Sequence, residues 1–133
     1  MIITTHYQIR TQYHFRPSPH GLLAWDVRRL INQSCNLPIK NILLSAIQEL
    51  DECFWYDGNN KPTCRNIVEH TKLIQAADLH YPIILCKDGR VMDGMHRVCK
   101  ALLQGLTHIN AVQFTIDIKP DFTGINPKDL PYD

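Results

Sequence analysis

The chain has 133 residues, a formal net charge of +1 and 44% hydrophobic residues. This length fits one domain with a core of its own, and the composition excludes a disordered or collagen-like chain. A charge so near zero also excludes a broad basic face, the usual footprint of a general nucleic-acid or membrane-surface binder.

Residues 1–36 read as an N-terminal arm, partly extended and broken by Pro17, Pro19 and Gly21. Up to residue 40 the basic residues are Arg10, Arg16, Arg28, Arg29 and Lys40, against Asp26 alone. That excess fits either a solvated arm or an arm that meets an anionic partner. Trp25, Val27, Leu30 and Ile31 are the apolar residues with which the arm would dock. Leu37 to Leu43 reads as a short strand, with Pro38 near its start, where a missing N–H does least harm. Ser45 and Gln48 match a capping box, and Ile47, Leu50 and Phe54 extend it to a short helix over about 46–54. Residues 57–62, Asp-Gly-Asn-Asn-Lys-Pro, form a turn cluster.

Thr63 is placed to cap the next helix. On that helix Ile67, Thr71, Ile74 and Ala77, with Val68 and Leu73 alongside, mark the inward face. Tyr81 to Cys86 reads as a strand, Asp88-Gly89 as a hairpin turn and Arg90 to Asp93 as the returning strand. A helix follows Gly94, with Val98, Ala101 and Leu102 at i, i+3, i+4 and Gly105 as its C′ residue. Val112, Phe114, Ile116 and Ile118 alternate with polar residues and predict a last strand. Pro120 ends it, and residues 119–133 read as a loop-like tail. The order predicts an α+β domain over residues 37–118, a small mixed sheet with packed helices.

Five cysteines, at positions 35, 53, 64, 86 and 99, include no C-x-x-C pair. Neither a disulfide framework nor a zinc spacing results, so no metal-ligating set is expected from them. Residues 1–10 lack an apolar signal region, and no apolar run approaches ~20 residues. The expectation is a cytoplasmic protein with reduced thiols and no membrane partner.

The stretch from Asp88 to Gly105 carries the chemistry. A strand runs into Gly94 and then into the polar start of a helix. The first N–H groups of a helix lack partners, and the helix dipole adds partial positive charge there. Gly94 lets a ligand approach the backbone closely. The candidate phosphate contacts are therefore Gly94, Met95, His96 and Arg97, with His96 and Arg97 adding hydrogen bonds. Each also has a plain structural reading. Asp93 is a helix cap, or else a general base or Mg²⁺ ligand. His96 is a packed histidine or a contact, and Arg97 is a salt-bridge partner of Asp93 or Glu69 or a contact.

This pattern of strand, Asp93-Gly94-Met95-His96-Arg97, amphipathic helix, Gly105 and strand resembles the ParB/sulfiredoxin superfamily. Pro38-Ile39 with Ile42 resembles the family's first strand, and the helix before Tyr81-Pro82-Ile83-Ile84 resembles its next element. The resemblance covers about 37–118 and implies that fold. Sulfiredoxins hold ATP phosphates in the pocket and use a cysteine within the motif to reduce cysteine sulfinic acid. Met95 stands at that position here, and a thioether supplies no thiolate. ParB proteins bind CTP and carry DNA-binding helices, and no helix-turn-helix pattern follows the motif here. Free-serine kinases of the superfamily use acidic residues around the pocket. On that likeness Glu49, Asp51 and Glu52 are candidate bases, the other reading being a solvated acidic face. Trp55 and Tyr56 are core residues or stack on a base, and His70 lies on the following helix.

The function expected is that of a nucleotide- or phosphate-binding domain. As an enzyme it would be a phosphotransferase or ATPase, with Asp93, His96, Glu49 and Glu52 as candidate catalytic residues. The implied ligand is ATP, another nucleotide or a phosphorylated small molecule, with Mg²⁺ to shield charge. The alternative is a non-enzymatic, DNA-associated regulatory module of ParB type, against which the near-neutral charge counts.

Overall fold

The computed structural model describes residues 12–56 and 61–132. Residues 57–60 of the turn expected at 57–62, and the start of the arm with Arg10, lie outside the described residues. In chain order the elements are β1 (Tyr13–Arg16), β2 (Leu23–Asp26), α1 (Val27–Ser34), β3 (Lys40–Leu43) and α2 (Cys64–Ala76). Then follow β4 (Ile83–Leu85), β5 (Val91–Asp93), α3 (Met95–Leu103), β6 (His108–Gln113) and β7 (Phe122–Thr123). The class is α+β, with a three-stranded and a four-stranded sheet among the described residues. Two compact units result: Leu37–Asp117, and the chain up to Asn36 together with that from Ile118.

The segments read as arm and tail share the second of these units. β2 is the middle strand of its antiparallel sheet, between β1 and β7. Local sequence could not reveal this, because Leu23 and Ala24 pair with Thr123 and Phe122, far along the chain. Asp26 ends β2 and caps α1, its carboxylate accepting the Arg28 N–H at 2.9 Å. Asp121 accepts the Asp26 N–H at 2.7 Å and ion-pairs with Arg29 at 2.8 Å. The Trp25 indole N–H donates to the Ile118 carbonyl at 2.7 Å. Two of the basic residues that set this segment apart, Arg28 and Arg29, are thus paired with Asp26 and Asp121.

In the Leu37–Asp117 unit the sheet order is β3-β6-β4-β5. β6 runs antiparallel to β3 and parallel to β4, and β4 and β5 form the expected hairpin. A parallel pair needs a crossover, and β5 with α3 supplies it. Leu44, Ile47, Ile83, Leu85, Val91, Met95, Val98, Ala101, Ile109 and Ala111 make the core beneath α3. Ile83 and Leu85, and Ile109 and Ala111, reach it through the two-residue period of a strand. Val98, Ile83 and Val91 are wholly buried, and burying such side chains contributes roughly 1.5–3 kcal/mol each.

Several expectations need correction, beginning with Leu102, read as an apolar inward position of α3 and in fact more than half exposed. Residues 46–54 form no α-helix: two 3₁₀ turns, Leu44–Ala46 and Gln48–Asp51, flank an extended Ile47, and Ser45 makes no cap bond. That break lets Leu44, Ile47 and Glu49 all point inward. The last strand ends at Gln113, because its partners reach only that far, and Ile116 is exposed. On α2, Ile67, Val68 and Leu73 are more than half exposed, while Asn66, His70, Ile74 and Ala77 form the half-buried stripe. Thr63 does cap α2, in a reciprocal capping box with Asn66. Gly105 closes α3 with φ +76, its N–H on Leu102 and that of Leu106 on Ala101, a Schellman motif. Among the described residues no helix is long and apolar enough to cross a membrane.

Candidate functional site

The site is built where β5 runs into α3. The Asp88-Gly89 turn is closed by the Cys86 N–H on the Arg90 carbonyl at 2.8 Å, which returns the chain beside β4. Gly94 then turns the chain with φ +105, a left-handed value that side chains resist. A Cβ there would sit 2.7 Å from Ile83 Cγ2 and 3.0 Å from an Arg97 guanidinium nitrogen. Glycine is required at 94 on both counts. Gly94 makes no side-chain cap, and its carbonyl accepts the first helical bond, from Val98 at 3.1 Å. Among the described residues the N–H groups of Met95, His96 and Arg97 have no acceptor. They are the donors that an anion would take.

Asp93 and Arg97 form an ion pair at 2.8 Å one helical turn apart, and neither side chain is more than a fifth exposed. Arg97 also donates to the carbonyls of Tyr81 at 3.0 Å and Pro82 at 2.8 Å. Burial pushes the Asp93 carboxyl above its ordinary range, against the pull of Arg97 and of the Gly94 N–H. The salt-bridge reading of Arg97 therefore describes this structure, and its guanidinium fastens α3 to the start of β4. Asp93 is not the side-chain cap of α3. The Met95 side chain is buried in the core, so this residue can offer a ligand only its N–H. Cys99 packs against the same core, and burial pushes its thiol up.

His96 has a different setting. Its Nε2 lies 2.8 Å from His70 Nδ1 on α2, a hydrogen bond between the two rings. Both rings stack on the Trp55 indole, His70 at 4.2 Å and His96 at 4.5 Å between centroids. Tyr56 stands edge-on to His70 at 5.8 Å, and Phe54 edge-on to Trp55 at 5.9 Å. Burial, reinforced by His70 and Arg97, lowers the His96 pKa to about 4. Burial lowers His70 too, with Glu69 opposing. Both shifts favour the uncharged form of the pair.

The acidic candidates lie in another network. Glu49 is buried, accepts the Val91 N–H at 2.8 Å and pairs with Arg90 at 3.1 Å. Glu52 takes a second Arg90 nitrogen at 2.6 Å. Both acids anchor the start of β5, and Asp51 is exposed. Among the described residues neither Glu49 nor Glu52 bonds to Asp93, to His96 or to the N-terminus of α3. Asp93, Gly94, His96 and Arg97 are brought together, and the two glutamates are not.

The partnership of His70 with His96 is the feature of this candidate site that sequence reasoning missed. The available signal was the stripe Asn66, His70, Ile74, which follows the i, i+4 rows of α2 better than the apolar residues do. No family model, curated protein or solved structure matches the chain.

Proposed function

We propose that the Leu37–Asp117 unit binds a phosphate-bearing ligand, a nucleotide such as ATP or a phosphorylated small molecule, at the N-terminus of α3. The observation that carries this reading is the run of acceptor-free N–H groups at Met95, His96 and Arg97, opened by a glycine that tolerates no side chain. The charges of Asp93 and Arg97 offset each other, so the helix dipole stands without a net opposing charge. His96 belongs to the first turn of α3, and its ring carries one nitrogen that the bond to His70 does not use. The resemblance of residues 91–114 to the ParB/sulfiredoxin motif supports the same reading.

Binding is better supported than transfer. Phosphoryl transfer asks for a base beside the acceptor, and Glu49 and Glu52 are held on Arg90. A bound Mg²⁺ finds no ready ligand set: Asp93 is held by Arg97, and among the described residues no group of three His, Cys, Asp or Glu could hold a metal ion. The DNA-associated reading gains nothing from the paired Arg28 and Arg29.

The test is a titration of ¹⁵N-labelled protein with ATP, CTP and inorganic phosphate, followed by amide shifts and calorimetry. The expected outcome is a saturable change centred on Met95, His96 and Arg97. His96→Ala should weaken binding by roughly tenfold, the worth of about one charge-assisted hydrogen bond. No change at those amides with any of the three ligands would refute the proposal. Arg97→Ala is a poor probe, because it would leave the Asp93 carboxylate buried without its partner and cost about 3–5 kcal/mol of stability.

A further inference from the structure

His70 and His96 share one hydrogen bond, 2.8 Å from Nδ1 to Nε2. Their planes differ by 25°, and they differ from the indole plane of Trp55 by 23° and 17°. The rings thus meet edge to edge on one aromatic support. In the neutral pair one proton bridges the rings and one more sits on an outer nitrogen. One outer nitrogen, His70 Nε2 or His96 Nδ1, then donates while the other accepts. Adding a proton keeps the bridging bond and makes both outer nitrogens donors. The added charge is spread over two rings, and an indole face favours a cation. A further proton would set N–H against N–H and break the pair.

We propose that His70 and His96 act as a single proton-sharing unit, which takes one proton from solvent when a phosphate group seats on the N-terminus of α3. The inference rests on the phosphate-binding reading above and adds its proton balance. The only bond formed is N–H on the outer ring nitrogen, and bulk water supplies the proton. Without ligand, burial and the neighbouring Arg97 keep the pair neutral, while Glu69 on α2 favours charge on His70. The Arg97 charge is itself offset by Asp93 from β5. Tyr56 faces His70 with a ring edge, and Cys99 on α3 is held protonated by burial. A bound dianion tips this balance towards the charged pair. His70 is a positioning residue here, acting through His96.

Sulfate tests the inference cleanly, because its own charge is constant over the pH range in which histidines titrate. Sulfate affinity and the imidazole ¹⁵N shifts are followed from about pH 7.5 to about pH 5.5 in the wild type, His70→Ala and His70→Leu. Wild-type affinity should rise roughly tenfold over that range, an average uptake of about half a proton that approaches one at the acid end, with both rings shifting together. Either variant should reduce the rise to less than about threefold while sulfate still perturbs the Met95 to Arg97 amides. The leucine variant keeps an apolar side chain against Trp55 and serves if the alanine variant fails to fold. An affinity that rises equally in the variants, or a wild-type affinity independent of pH, overturns the proton-sharing unit and leaves the phosphate site standing. No perturbation by sulfate or by ATP overturns the phosphate site, and this inference falls with it.

Discussion

Gly94 and Gly105 show how much the surroundings of a residue decide. Both have positive φ, +105 and +76. A Cβ at Gly94 meets Ile83 and Arg97, whereas a Cβ at Gly105 meets nothing within 4 Å. Gly105→Ala should therefore cost only the backbone strain, about 1 kcal/mol. Gly94→Ala adds a steric clash with a wholly buried isoleucine and should cost about 3 kcal/mol or more. Urea unfolding of the two variants measures the difference, and equal losses would mean that glycine is required at 94 by its φ alone. The same close packing explains the Asp93–Arg97 pair. Arg97 reaches back over Gly94 to Asp93 and to two carbonyls, so a side chain at 94 would disturb the bonds that hold α3 in place.

At the scale of elements, local signals were readable and remote pairings were not. The Thr63 cap, the Asp88-Gly89 hairpin, the Gly94 entry and the Gly105 exit all depend on residues a few positions apart, and the structure contains them. The extent of β6 depends on β3 and β4, and β7 on β2, so alternation alone misjudged the first and overlooked the second. The candidate site divides in the same way. The motif from Asp93 to Arg97 was visible and the Arg97–Asp93 pair was among its readings, but the hold of Arg90 on the two glutamates was not, since it depends on where the 3₁₀ turns lead. α2 gives the sharpest test of this limit. Its apolar periodicity would bury Ile67 and Leu73, and truncating a buried Ile or Leu costs about 2–5 kcal/mol. In the structure both are more than half exposed. Ile67→Ser and Leu73→Ser should each change stability by no more than about 0.5 kcal/mol, read from thermal or urea unfolding. A loss near 2 kcal/mol in either would mean that this face of α2 is covered.

Over the whole molecule, the near-zero net charge conceals histidines that make stability depend on pH. His14 on β1 pairs across the sheet with Trp25, and its Nε2 accepts from Arg16 at 2.8 Å. Burial, then the Arg16 charge, lowers its pKa to about 4, and His96 in the other unit is lowered to about 4 as well. In the unfolded chain both return to about 6.5. The unfolded state then binds more protons between these values, so stability rises with pH across that window. The contribution is fully present above about pH 6.5, declines as pH falls, and is lost below about pH 4. For His14 the loss approaches about 3 kcal/mol. For His96, partly exposed, it is smaller, and His70 works in the same direction. Asp93 works in the opposite direction, since its raised pKa lets the folded state take up that proton first as the carboxylate range is entered. The steepest fall should therefore lie between about pH 6 and pH 4.5, above the range where carboxylates dominate acid unfolding. Urea midpoints measured across that window in the wild type and in His14→Gln check it, because glutamine keeps an acceptor for Arg16 and cannot titrate. The variant should flatten the curve between about pH 6 and pH 4.5 while leaving the midpoint at about pH 7.5 within about 1 kcal/mol of the wild type. A variant curve as steep as that of the wild type would show that His14 does not titrate against folding.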